Sequence, residues 1–263
     1  MPRRRVGRSD RGLLAAAMAL LVAGCSFSPL AHRINVGQDP FVVFVGEGID
    51  HHTDLFAAPA GGGEVAQVTF TALVERHPQL SSSGSVVAFI RMPDTLPGTP
   101  RDVIAMNLLS GGEATIKLPA AAGVPQDVAW SGDSVLYIST DHGTWRAPAP
   151  PSDDPATRVV ASDSARADTA LALWLGQPRF TRVVDCATAG LCVIGPRGDT
   201  ALLAPGGTDA MRWGGDSVAW FEGGAVMVRS LGPGRARRIN WTSMPDHPRD
   251  GSYAPGAPPA PDQ

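Results

Sequence analysis

Side chains that could do chemistry are sparse in this sequence, and the densest group is Asp50-His51-His52-Thr53-Asp54. Imidazole and carboxylate donors of this kind suit zinc or a similar metal, which makes Asp50, His51, His52 and Asp54 a candidate ligand set. A solvated turn explains the same composition, and no metal is assigned. Cys186 and Cys192 lie across Cys-Ala-Thr-Ala-Gly-Leu-Cys, with five residues between them. In an exported chain a lone pair at hairpin spacing reads most simply as a disulfide, and closing so small a loop stabilises by roughly 2 kcal/mol in the chain-entropy picture. No nucleophile elbow, zinc-protease helix motif, phosphate loop or dinucleotide fingerprint occurs. The serines of Ser131-Gly132-Asp133-Ser134 and Gly215-Asp216-Ser217 fall at repeated turns. No catalytic residue and no cofactor is therefore expected.

The third cysteine has different surroundings. Arg3, Arg4, Arg5, Arg8 and Arg11 form a basic start, and Leu13–Ala23 is an apolar run of 11 residues, too short to span a bilayer. The run ends in Leu21-Val22-Ala23-Gly24-Cys25, which resembles a bacterial lipobox. That resemblance implies a lipoprotein signal over residues 1–24 and a lipidated N-terminus at Cys25, with 25–39 as a tether. It implies a bacterial cell-envelope location, lipid-anchored and facing the periplasm. Ser26, rather than Asp, after the cysteine favours the outer membrane. Removing residues 1–24, with five arginines and one aspartate, turns 22 basic and 25 acidic side chains into 17 and 24, a net charge of −7. That balance gives no reason to expect nucleic acid. Arg235, Arg237 and Arg238 are one local basic cluster, read as a charged outer edge that resists pairing with other chains.

The elements that must position these groups are short strands. Asp127–Trp130, Ser134–Ser139, Thr144–Ala147 and Thr157–Ala161 are separated by Ser-Gly-Asp, Asp-His-Gly and a Pro-rich loop. The unit recurs. Ser134-Val-Leu-Tyr aligns with Ser217-Val-Ala-Trp 83 residues later and with Ser85-Val-Val-Ala-Phe 49 residues earlier. Trp130, Trp174 and Trp213 are spaced 44 and 39 apart, and Gly62-Gly63-Glu64 repeats as Gly111-Gly112-Glu113. Four strands per period of about 40–50 residues are the mark of a β-propeller. The expected fold is all-β, a propeller of four-stranded blades over 40–243. Five units are framed (34–70, 78–118, 127–161, 169–204 and 209–241), with six blades as the alternative. One blade is apolar on both faces and is covered only by neighbours, with the tryptophans filling the spaces between. Residues 244–263, rich in Pro and Gly, read as a disordered tail.

The repeat resembles the TolB-type propeller family. Its Trp-Ser-Pro-Asp-Gly turn is matched, without the proline, by Trp130-Ser131-Gly132-Asp133 and Trp213-Gly214-Gly215-Asp216. Its following strand is matched by Val87-Ala88-Phe89-Ile90 and Val218-Ala219-Trp220-Phe221, and its last by Asp102-Val-Ile-Ala-Met-Asn107. The resemblance implies a fold rather than an activity. It leaves a binding or scaffold module with an envelope protein or small ligand as partner, or else an envelope hydrolase or metal-dependent enzyme. Loops joining second to third strands, and loops joining blades, share one side of such a ring. On that framing Asp50, His51, His52, Asp141 and His142 lie in loops of the first kind, and Arg76 and His77 in the second. Together they form the candidate binding face.

Overall fold

Phe41–Glu47 shows why these strands stack. Phe41, Val43 and Val45 enter one buried cluster, while Val42 and Phe44 enter another. Side chains of a strand alternate between two faces, so a strand buried on both needs a neighbouring sheet on each side. Each Val or Phe removed from water contributes about 1.5–3 kcal/mol. The same alternation recurs at Val87 and Phe89 against Ala88 and Ile90, and at Val218 and Trp220 against Ala219 and Phe221.

The computed structural model describes residues 28–48, 51–150, 152–160, 183–194, 198–214, 217–230 and 234–257. They form an all-β, propeller-like fold whose main sheets are antiparallel. In sheet 1 the order is Asp246–Ala254, Phe41–Glu47, Thr53–Pro59 and Ala66–Gln67. Sheet 2 holds Val74–Leu80, Val86–Met92, Asp102–Asn107 and Glu113–Thr115. Sheet 3 holds Pro125–Ser131, Val135–Thr140, Gly143–Pro148 and Thr157–Arg158. Three described strands, Val183–Asp185, Gly190–Ile194 and Thr200–Pro205, make sheet 4. Thr208–Arg212, Ser217–Glu222, Ala225–Ser230 and Arg237–Ile239 make sheet 5. The first strands of sheets 5, 1, 2 and 3 pack one against the next, forming the inner edge of the stack.

Three expectations change. Residues 244–263 are not a tail throughout: Asp246–Ala254 is a nine-residue strand paired with Phe41–Glu47. Phe41–Glu47 is buried and needs hydrogen-bond partners on both sides, and the chain's last strand supplies one set. Pro248 is tolerated because that strand is an edge strand with bulges. The first sheet therefore joins both ends of the chain instead of spanning 34–70. Residues 28–39 are not a free tether either. Leu30 and Ile34 are buried in the cluster between sheets 1 and 2, and Ser28 Oγ donates to the Leu108 carbonyl at 2.7 Å. Finally, Trp130 and Trp213 are not equivalent: Trp130 lies opposite Leu136, whereas Met211 lies opposite Ala219, the corresponding position in sheet 5.

Both tryptophans nonetheless fill seams. Trp130 is buried between sheets 2 and 3, and its indole donates to the Gln79 carbonyl at 3.0 Å. Trp213 packs between sheets 5 and 1, with its ring 5.1 Å from Tyr253. A strap, Trp241–Thr242, runs parallel to Gly63–Glu64 and carries the chain from sheet 5 to its last strand. Gly62 makes the approach possible, since a Cβ there would stand 2.9 Å from the Asn240 carbonyl oxygen and its φ is +106°. Trp174 lies outside the described residues.

Candidate binding site at the inner edge

Cys25 and Asp50, both singled out in the sequence, lie outside the described residues. His51 and His52 are exposed in the hairpin turn between Glu47 and Thr53, where His51 N–H donates to the Gly48 carbonyl at 3.0 Å. Asp54 does not join them as a metal ligand. Its side chain is buried, accepting bonds from Gln67 Nε2 at 2.9 Å and from the Thr71 amide at 3.0 Å. A buried carboxylate must be satisfied by donors, and the last strand of sheet 1 and the linker that follows it provide them. Among the described residues no group of three His, Cys, Asp or Glu side chains is arranged to hold a metal.

Asp141 and His142 also serve a linker. Asp141 Oδ1 accepts the Val124 amide at 2.7 Å, and His142 Nδ1 lies 3.2 Å from the Ala121 carbonyl oxygen. The hairpin of sheet 3 thereby grips the segment that leads into that sheet.

Arg76 and His77 are not in a connecting loop as expected. Both belong to the strand Val74–Leu80, at a bulge where the register jumps between Arg76 and Gln79. His-Pro reads as turn chemistry, yet an edge strand can absorb a proline and an extra residue at a bulge. His77 adopts φ = +53°. The same device recurs on the inner edge. Asp250, at φ = +53°, occupies the jump between Arg249 and Ser252, and Asp209, at φ = +51°, the jump between Thr208 and Met211. In each strand two residues oppose one, and the first of the two is a His or Asp, types that tolerate the left-handed region. Such strain is often kept where a side chain must be aimed.

At His77 the aim is visible. Its Nδ1 stands 3.2 Å from Asp127 Oδ1 of sheet 3 and 4.0 Å from Asp250 Oδ2 of sheet 1. The His77 amide also donates to Asp250 Oδ2 at 3.5 Å. Three first strands thus meet in one imidazole held between two carboxylates, with the His77 side chain 37% exposed. In the same strand Arg76 Nε and Gln79 Oε1 are buried without a hydrogen-bond partner among the described residues. A donor and an acceptor so placed are available to a ligand or water. The arrangement can exchange a proton and anchor a polar ligand. Asp127 and Asp250 were not read as site residues, because one opens a strand motif and the other falls in the segment read as a tail.

A second polar network, also unforeseen, locks the linker between sheets 1 and 2. Thr69 Oγ1 lies 2.5 Å from Glu75 Oε2 and 3.3 Å from Asp54 Oδ1, and accepts the Leu55 amide at 2.8 Å. Glu75 is fully buried and pairs with Arg91 at 2.7 Å, which in turn pairs with Glu113 at 2.6 Å. Burial pushes the Glu75 carboxyl above its ordinary value, and Asp54 adds to this, against the opposing pull of Thr69 and Arg91. Between the pinned Thr69 and Thr71, Phe70 projects into solvent, 76% exposed. In sheet 4, Cys186 and Cys192 form the expected disulfide, with Cα atoms 5.8 Å apart.

No family model and no curated protein matches the chain. Among solved structures it is similar to the "putative TolB" of Agrobacterium tumefaciens, at 13% identity and a TM-score of 0.35, over 82% of this chain and 72% of that one. It is also similar to a "putative 6-phosphogluconolactonase" of Bacteroides uniformis, at 14% identity and a TM-score of 0.30, over 77% and 67%. A prolyl endopeptidase matches at 14% identity and a TM-score of 0.33, over 92% of this chain but 41% of its own. The chain thus spans less than half of that peptidase. At these identities none of the three activities passes to this chain, whose sheets make it an all-β, propeller-like protein.

Proposed function

We propose that the chain is a lipid-anchored binding or scaffold module of the bacterial cell envelope, attached through Cys25 and presenting one face to a protein or small-ligand partner. The observation that carries this reading is Phe70, 76% exposed on a linker whose flanking threonines are bonded to buried carboxylates. A large apolar side chain held in water on a fixed backbone is the form of an interface anchor. Exposed His51 and His52 share that side of the molecule, as do Leu73 and Leu96. Crosslinking and pull-down from native membranes test the reading. The wild-type protein should enrich an envelope partner, and Phe70→Ser with His51→Ala should lose it without a change in melting temperature. Equal recovery by both would remove the basis for this face.

A second reading, an envelope hydrolase, draws on the His77–Asp127–Asp250 cluster. An oriented imidazole is the usual general base. Hydrolytic turnover by the purified protein, abolished by His77→Ala, would favour it over the scaffold.

A further inference from the structure

We infer that the seam between sheets 2 and 3, where it opens at the inner edge, is a binding site for a small zwitterion of the amino-acid type. The ligand's carboxylate sits on Arg76 and its ammonium on Gln79. This site is separate from the Phe70 surface and from the anchor proposed at Cys25, and it stands or falls apart from both.

The register places the two side chains on one face. Residues opposite each other on paired strands share a face. Arg76 lies opposite Ile90 and Gln79 opposite Ala88, and both partners belong to the cluster packed between sheets 2 and 3. Arg76 and Gln79 are therefore turned toward sheet 3, with only the bulge residues His77 and Pro78 between them. The Trp130 indole of sheet 3 donates to the Gln79 carbonyl at 3.0 Å and ties this point of the strand to its neighbour. Gln79 is 1% exposed, yet its Oε1 accepts no hydrogen bond among the described residues, and buried Arg76 Nε donates none. Arg76 as a whole is half-buried, and no ion pair among the described residues engages it.

Those two atoms define what the site takes. A guanidinium drawn partly out of water without a counter-ion favours an anion, and its planar fork fits a carboxylate. A buried amide oxygen without a donor carries a desolvation cost that an N–H group relieves. The acids close by set the sign of that second group. Asp127 Oδ1 and Asp250 Oδ2 stand 3.2 and 4.0 Å from His77 Nδ1, so the bulge favours a cationic donor over a second anion. Arg249, beside Asp250, does not offset this, because it lies opposite Val45 and faces the other seam, between sheets 1 and 2. A water or a hydroxyl satisfies the two buried atoms but leaves the guanidinium charge unpaired. A molecule with both charges a few ångströms apart answers all three demands.

The test titrates the purified full chain with each of the common L-amino acids and follows the tryptophan indole N–H resonances by NMR. Trp130 reports on the site through its bond to Gln79, and Trp241, which donates to the Pro59 carbonyl, is the reference. At least one amino acid should shift the Trp130 resonance saturably at millimolar concentration and leave Trp241 in place. Its amide, which lacks the carboxylate, and its N-acetyl derivative, which lacks the ammonium, should each bind about tenfold more weakly. Arg76→Gln should lose about tenfold for the amino acid and little for its amide, with an unchanged urea midpoint because no native ion pair is lost. No saturable shift with any amino acid would mean that only water fills the site and would overturn the inference. Equal binding by either derivative, or full affinity in Arg76→Gln, would overturn it too. The derivative series needs no variant, so it holds as a test even where Arg76→Gln alters folding.

Discussion

His77 shows how much a single position is asked to do. It holds φ = +53° in a strand, faces two carboxylates from neighbouring sheets, and precedes a proline. Left-handed backbone is tolerated by Asn far better than by a β-branched residue. His77→Asn should therefore leave the urea midpoint near wild type, whereas His77→Val should cost about 1–3 kcal/mol through strain. Equal midpoints for the two variants would show that the strain is not borne there. Glu75 gives a pH test. Its carboxyl titrates above the ordinary 4.5 in the folded chain because burial disfavours its charge. The folded state thus holds this proton more tightly than the unfolded state. The resulting stabilisation is complete below the ordinary value and is lost as pH rises through the raised one. Glu75→Gln removes that titration, so wild type should lose stability relative to the variant across this window. Parallel curves in denaturation series from acid to neutral pH would contradict the assignment.

Among elements, the last strand matters most. Asp246–Ala254 covers one side of Phe41–Glu47, whose residues 41–46 are all buried. Ending the chain after Pro245 should leave that strand's backbone groups unpaired and abolish cooperative unfolding, read by circular dichroism on heating. Ending it after Ala257 should be nearly silent. Similar melting of both truncations would show that the strand does not hold the fold. This element was illegible in the sequence because Pro248 and Gly251 mimic a tail, and the alternation that marks strands is broken by bulges. Where a strand carries no inserted residue of its own the pattern read well: Val135–Thr140 and Ser217–Glu222 fall within a residue of their expected bounds. His-Pro at 77–78 misled for the same reason as the tail. Its chemistry suits a turn or a bulge equally, and only the pairing partner distinguishes them. The Glu75–Thr69–Asp54 network was hidden because its members are ordinary polar residues brought together by a linker between sheets.

Across the whole molecule, the two ends of the strands differ. The N-terminal segment and Leu109 lie at one end of the strands, while Phe70, Leu96 and the His51 hairpin lie at the other. The cysteines fit the proposed anchor: Cys186 and Cys192 are joined, leaving Cys25 as the thiol. Cys25→Ala should leave an uncleaved or soluble product in place of an acylated one, read by intact mass. The most direct measurement is photo-crosslinking in the native cell from a diazirine side chain placed either at Phe70 or at Ser110. The account predicts a discrete protein adduct from position 70 and none from position 110. No protein adduct from position 70, or the same adduct from both positions, would contradict it.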